Sequence, residues 1–191
     1  VELSPDEASG LVTTTGGWPI AIYLSLFPDP PGPAPVLGPG TASGSEHIAE
    51  FMRAELLDPL DPDDRQWLIR SSVLDVMSGP LCDAALDTTG SIERLRSLER
   101  ANLLILRLDD GMSYRYHPLL HDLLRDELDR RLPGEAAVIA RRASAWCDQQ
   151  GLIDRAVDYA RVGGDLAALA DVIARGFWHI HWAGRIHTME R

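Results

Sequence analysis

The chain has 191 residues, 45% of them hydrophobic, and a net charge of −11. That is ample apolar material for a core, and no apolar run is long enough to span a bilayer. All 18 basic residues are arginine, and the absence of lysine excludes a Walker A loop, whose lysine reaches the β- and γ-phosphates.

The charge is unevenly spread. Residues 1–89 hold 14 acidic and 3 basic side chains, and residues 90–191 hold 15 of each. An acidic half of this kind does not suit contact with nucleic acid. The N-terminus has no signal-peptide pattern. Cys82 and Cys147 form no CxxC motif and read as two buried thiols in a reducing, cytoplasmic interior.

Ser4-Pro5-Asp6-Glu7 reads as a helix start, with Ser4 as N-cap and Glu7 closing a capping box. That helix stops before Gly16-Gly17, and Trp18-Pro19 opens a second short one. Residues 28–45 are rich in proline and glycine and read as a linker. A helical run then spans Glu46 to Leu57. Asp61-Pro62-Asp63-Asp64 caps another, with Trp67, Leu68, Ser71, Leu74 and Met77 near helical spacing. Gly79-Pro80 breaks it, Leu81 to Leu86 is a short helix, and Gly90-Ser91 caps a helix from Ile92 to about Ala101 with Ile92, Leu95 and Leu98 inward.

Leu103 to Leu108 reads as a strand, Asp109-Asp110-Gly111-Met112 as a hairpin turn, and Ser113 to Tyr116 as the returning strand. His117 then stands at the mouth of a helix begun by Pro118, which suits the first turn because its missing N–H would be unpaired there. Helix N-termini attract anions through free N–H groups, and an imidazole there adds a donor. Beyond Pro133-Gly134 the pattern changes to paired helices, Ala136 to Gln149 and Ile153 to Val162. Ala140, Ala143, Ala156, Ala160, Ala167 and Ala170 fall at contact positions.

The expected fold is mainly α: a winged-helix domain with a small two-stranded β-wing, followed by tetratricopeptide-like helical hairpins. Four segments, in this order, resemble the MalT-type signal-transduction ATPases of the LuxR group of transcriptional regulators. They are Gly17-Trp18-Pro19, like the family's GxP motif; Phe51 to Leu57 with Leu68 to Asp75, like "LRxTSVLD"; Leu81 to Ala84 with Leu95 to Leu104; and Tyr114 to Leu120, like "YRYHxLL".

The resemblance implies a multidomain regulator in which a P-loop ATPase precedes the winged helix and a helical sensor array follows it. It divides the chain into 1–27, the tail of a nucleotide-binding domain; 28–45, the linker; 46–132, the winged helix; and 133–191, the start of the array, cut from a longer protein. The cofactor is ATP or ADP in the parent and none in these residues, which are not themselves an enzyme. The resemblance implies that Pro19 packs on adenine and His117 meets the β-phosphate of ADP, with Arg115, next to the histidine in sequence, as a further candidate. Relatives carry aspartate after that histidine where Pro118 stands here. The implied partners are the upstream P-loop domain of the same chain and a second copy in a homo-oligomer. DNA is reached only through a domain outside these residues, and no membrane is involved.

Three other readings stand beside this one. The helical hairpins could be a protein-interaction scaffold, or the arrangement could be the regulatory region of a bacterial serine/threonine kinase. Direct DNA binding by the helix 92–101 would use Arg94, Arg96 and Arg100, but Glu93 and Glu99 leave a surplus of one positive charge. His179, His181 and His187 are spaced two and six apart, which does not converge them on a helix. The aromatic cluster Phe177, Trp178, Ile180 and Trp182 is expected to pack on a further repeat or a second copy.

Overall fold

The computed structural model describes residues 4, 5, 9, 10, 12, 49–101, 104–167 and 169–174. Pro19, residues 28–45, and the aromatic and histidine clusters beyond 175 therefore lie outside the described residues. The chain divides into two compact units, residues 1–65 with 117–123, and residues 66–116 with 124–191.

In the first unit, residues 5, 9, 10 and 12 are helical, as the Ser4-Pro5 start predicts. Residues 49–52 are helical and widen into a π-helical turn over Arg53–Leu57, closed by Asp58 N–H on the Arg53 carbonyl at 2.9 Å. Met52 and Leu57 are its buried side chains.

Helix α1, Pro62–Ser71, runs from this unit into the second and buries Trp67, Leu68, Ile69 and Ser71. It stops short of the expected Met77. Ser71 Oγ donates to the Leu68 carbonyl at 3.1 Å and Ser72 Oγ to the Ile69 carbonyl at 2.7 Å. Serine hydroxyls that bond back to carbonyls compete with the helical ladder, and the chain turns. Leu74 is fully buried outside any helix. Met77 instead exchanges two hydrogen bonds of 2.8 Å with Tyr114, adding a one-residue strand to the wing.

Helix α2, Gly79–Leu86, and helix α3, Ser91–Arg100, pack on each other. Asp83 joins them by accepting from Ser91 N–H at 2.9 Å. Strands β1, Ile105–Arg107, and β2, Tyr114–Tyr116, pair antiparallel with Ile105 opposite Tyr116, Leu106 opposite Arg115 and Arg107 opposite Tyr114. Leu104, just before the first strand, bends the chain at φ +53, a conformation that leucine adopts only at a cost of about 1–2 kcal/mol. The turn is as the sequence suggests: Asp110 Oδ1 accepts from Met112 N–H at 2.9 Å and Ser113 N–H at 2.7 Å. With Met77 as a first strand, the order helix, strand, helix, helix, strand, strand is that of a winged helix.

Helix α4, Pro118–Arg131, buries Leu120, Leu123, Leu124 and Leu128 at helical spacing. It also buries the Glu127 carboxylate, held by Arg130 and by Arg131 Nε at 2.5 Å. Helices α5, Glu135–Gln149, and α6, Ile153–Val162, form a packed hairpin. Ala140, Ala143, Ala156 and Ala160 are buried in it, which allows the close approach that small residues predict. Ser144 Oγ donates across the pair to the Ala156 carbonyl at 2.8 Å. Ala167 and Ala170 are exposed instead, so the contact stripe does not extend through them.

Candidate functional site

His117 is the residue between β2 and α4. It is 9% exposed. Its carbonyl accepts the first α4 hydrogen bond, from His121 N–H at 2.9 Å. Its Nδ1 accepts from Leu119 N–H at 3.3 Å. The ring thus does the work of an N-cap side chain, satisfying an amide that the helix leaves unpaired. A nitrogen that accepts carries no proton, so the neutral ring keeps its N–H on Nε2. Nε2 has no partner among the described residues.

This geometry changes one expectation. The start of α4 is a poor anion cradle, because Pro118 has no N–H and that of Leu119 is taken by the ring. Any donor to an anion comes from the imidazole rather than from the first-turn amides.

Arg115 is exposed on β2 between two buried tyrosines, as strand alternation requires. Among the described residues its side chain has no hydrogen bond or ion pair.

The helix in the recognition position, α3, is only weakly suited to duplex DNA. Arg94 lies 5.9 Å over the Trp67 ring, a cation–π contact that turns it toward α1. Arg96 and Arg100 are exposed, and so is Glu93. Arg107 at the wing is 3.9 Å from Glu99 and stacks on Tyr114 at 5.7 Å. Little uncompensated positive charge remains for phosphates.

The cysteines are buried, unbridged thiols, as expected. Burial pushes Cys82 up to about 12 and Cys147 up to about 11, so neither is a nucleophile. No group of three metal-ligating side chains occurs among the described residues, and no described helix is long and apolar enough to cross a membrane.

Sequence reasoning missed three contacts. Met77 gave no strand signal because a single paired residue has no alternation. The Ser71–Tyr116 bond and the Arg70–Glu135 pair join segments 45 and 65 residues apart, which no local pattern reports.

The fold thus defines a winged helix followed by a helical hairpin. Residues 53–136 match the MalT winged helix domain, and this segment is a winged helix of that type. The chain is 27% identical to the HTH-type transcriptional regulator MalT of Cronobacter sakazakii over 99% of its own length and 21% of that protein. It is 32% identical to the serine/threonine-protein kinase PknK of Mycobacterium tuberculosis and of Mycobacterium bovis, over 87% of its own length and 15% of theirs. The chain therefore spans about a fifth or less of the length of these curated relatives. His117 and Arg115 fall inside the matched domain, and Pro19 falls before it.

Proposed function

We propose that the winged helix couples nucleotide state to domain arrangement in a MalT-type transcriptional regulator. The observation that supports this most directly is the state of His117. It stands at the β2–α4 junction with Nδ1 committed to the helix and Nε2–H uncommitted. On this reading, Nε2–H donates to the β-phosphate of an ADP held by a P-loop domain of the same chain. Pro19 packs on the adenine, and Arg115 adds positive charge near the phosphates. ADP then favours a closed arrangement, and ATP with an inducer favours an open, oligomerising one. Such a switch requires contacts that differ between the two states.

The 191 residues supply half of that site and no phosphate loop, so they neither turn over nucleotide nor hold it alone. Output to DNA runs through a separate LuxR-type domain, in the cytoplasm. The test is ADP release from the full-length regulator. His117→Ala is expected to speed release and raise basal activity, and unchanged release would overturn the reading. An ADP titration of the 191 residues alone is expected to give no heat.

The identity with PknK favours a second reading, the same coupling module behind a kinase domain. Phosphoryl transfer by the full-length protein to a generic serine/threonine substrate distinguishes the two.

A further inference from the structure

The MalT winged helix match ends at residue 136, where α5 has only just begun. The structure draws no boundary there. Arg70, in the last turn of α1, places Nε 3.1 Å and Nη2 2.9 Å from one oxygen of Glu135, the first residue of α5. Both side chains are mostly shielded, at 23% and 30% exposure. Each charge also sits at the helix end whose dipole favours it, the cation at a C-terminus and the anion at an N-terminus.

Three further contacts lie away from that pair. Helix α2 packs along α5. At the C-terminal end of α2, Asp87 lies 3.4 Å from Arg142 of α5. On α6, Tyr159 is buried beside Asp75, in the turn after α1, and burial together with the charge of Asp75 raises its hydroxyl well above the ordinary tyrosine range. The hairpin is thus tied to the ends of α1 and α2 and to the turn after α1.

We propose that the α5–α6 hairpin is a rigid extension of the winged helix, clamped by the Arg70–Glu135 pair, so that a rotation applied beyond α6 reaches the wing as a movement of one body. No nucleotide contact enters this inference. It stands or falls apart from the role of His117. A clamp made of one ion pair over a packed helix pair couples two elements only if opening one opens the other, which is a statement about their exchange rates.

Amide hydrogen exchange on the 191-residue chain tests it. The readouts are the Met77 and Tyr114 amides, which form the wing bridge, and the amides in the middle of α6. In the wild type, both sets should exchange through a common opening. Arg70→Met and Glu135→Ala should each speed both sets by the same factor, about threefold to tenfold for a half-shielded charged pair. The double variant should do no more than either single, as partners in one interaction require. Faster exchange in α6 with the bridge amides unchanged would overturn the proposal. So would effects that add in the double variant, or wild-type rates in all three variants.

Discussion

The Ser71 hydroxyl lies 2.6 Å from the Tyr116 hydroxyl, with both side chains sealed in the core. It ties the end of α1 to the end of β2, so the two family-like segments "IRSSVLD" and "YRYH" meet through one bond. Ser71 already directs its single hydrogen to the Leu68 carbonyl. Tyr116 is therefore the donor in the pair. Burial drives the Tyr116 hydroxyl well above its ordinary range and the Ser71 bond pulls it partly back, so the phenol stays protonated and able to donate.

This direction predicts unequal costs. Ser71→Ala leaves a buried phenol with no acceptor, at about 1–3 kcal/mol, whereas Tyr116→Phe leaves Ser71 still bonded to Leu68 and costs about 1 kcal/mol. Urea midpoints should rank Ser71→Ala as the worse variant. The double variant should be less damaging than the sum of the two. The reverse ranking would show that the serine, not the tyrosine, donates.

Gly79 makes a second prediction. A Cβ built there would lie 2.7 Å from Ile92 Cβ and 3.3 Å from Ile92 Cα and N. The starts of α2 and α3 touch too closely for any side chain. Gly79→Ala should cost about 1–3 kcal/mol, as overpacking does. The rescue is specific: Ile92→Ala keeps the offending Cβ and should restore little, while Ile92→Gly removes it and should relieve the clash. Thermal denaturation of the pairs decides, and equal rescue by both would mean that the outer atoms of Ile92 set the spacing.

Much of this architecture was legible in the sequence, for identifiable reasons. The start of α4 is marked by Pro118, and Leu120, Leu124 and Leu128 at helical spacing mark its buried face. The hairpin α5–α6 was equally plain from Gly151 and the alanine stripe. The wing turn followed from Asp110 and Gly111. The end of α1 was misread because Leu74 and Met77 continue the apolar spacing, while the stop signal lies in how two serine hydroxyls choose their acceptors. At the site, the residue type of His117 suggested a donor, but the division of labour between its nitrogens depends on where Leu119 N–H points. Pro19 could be named from its motif only.

The thiols predict an alkaline limit to stability. Burial raises Cys82 and Cys147 to about 12 and 11, from an ordinary value of 9.0. An unfolded thiol loses its proton as pH passes about 9, while the folded one keeps it. The unfolded state therefore binds fewer protons, and stability falls as pH rises. The contribution is intact below about pH 9 and is lost between there and about pH 12. Tyr116 and Tyr159, also raised chiefly by burial from 10.0, deepen the fall above about pH 10. Urea midpoints measured from pH 8 upward should be level and then decline, with a shallower decline in Cys82→Ala. In the same series a thiol reagent at pH 8 should label neither cysteine before unfolding. A flat profile to pH 11 would mean that the folded thiols titrate normally.

His117 has two nitrogens with two assignments, and two substitutions separate them. Asparagine places an acceptor near the position of Nδ1, so His117→Asn should keep the bond to Leu119 N–H and most of the stability of α4. Glutamine reaches toward the position of Nε2 but is too long to cap its own helix. It should lose about 1 kcal/mol, as lost caps do, and His117→Ala should lose at least as much because it also empties a buried volume. ADP retention by the full-length regulator should follow the opposite order, falling with asparagine and partly surviving with glutamine, since only the latter offers an N–H where Nε2 was. Denaturation midpoints and ADP release rates measured on the same variants would show this crossing. If asparagine and glutamine rank alike in both measurements, the ring acts as one packed unit, and neither nitrogen has a role of its own.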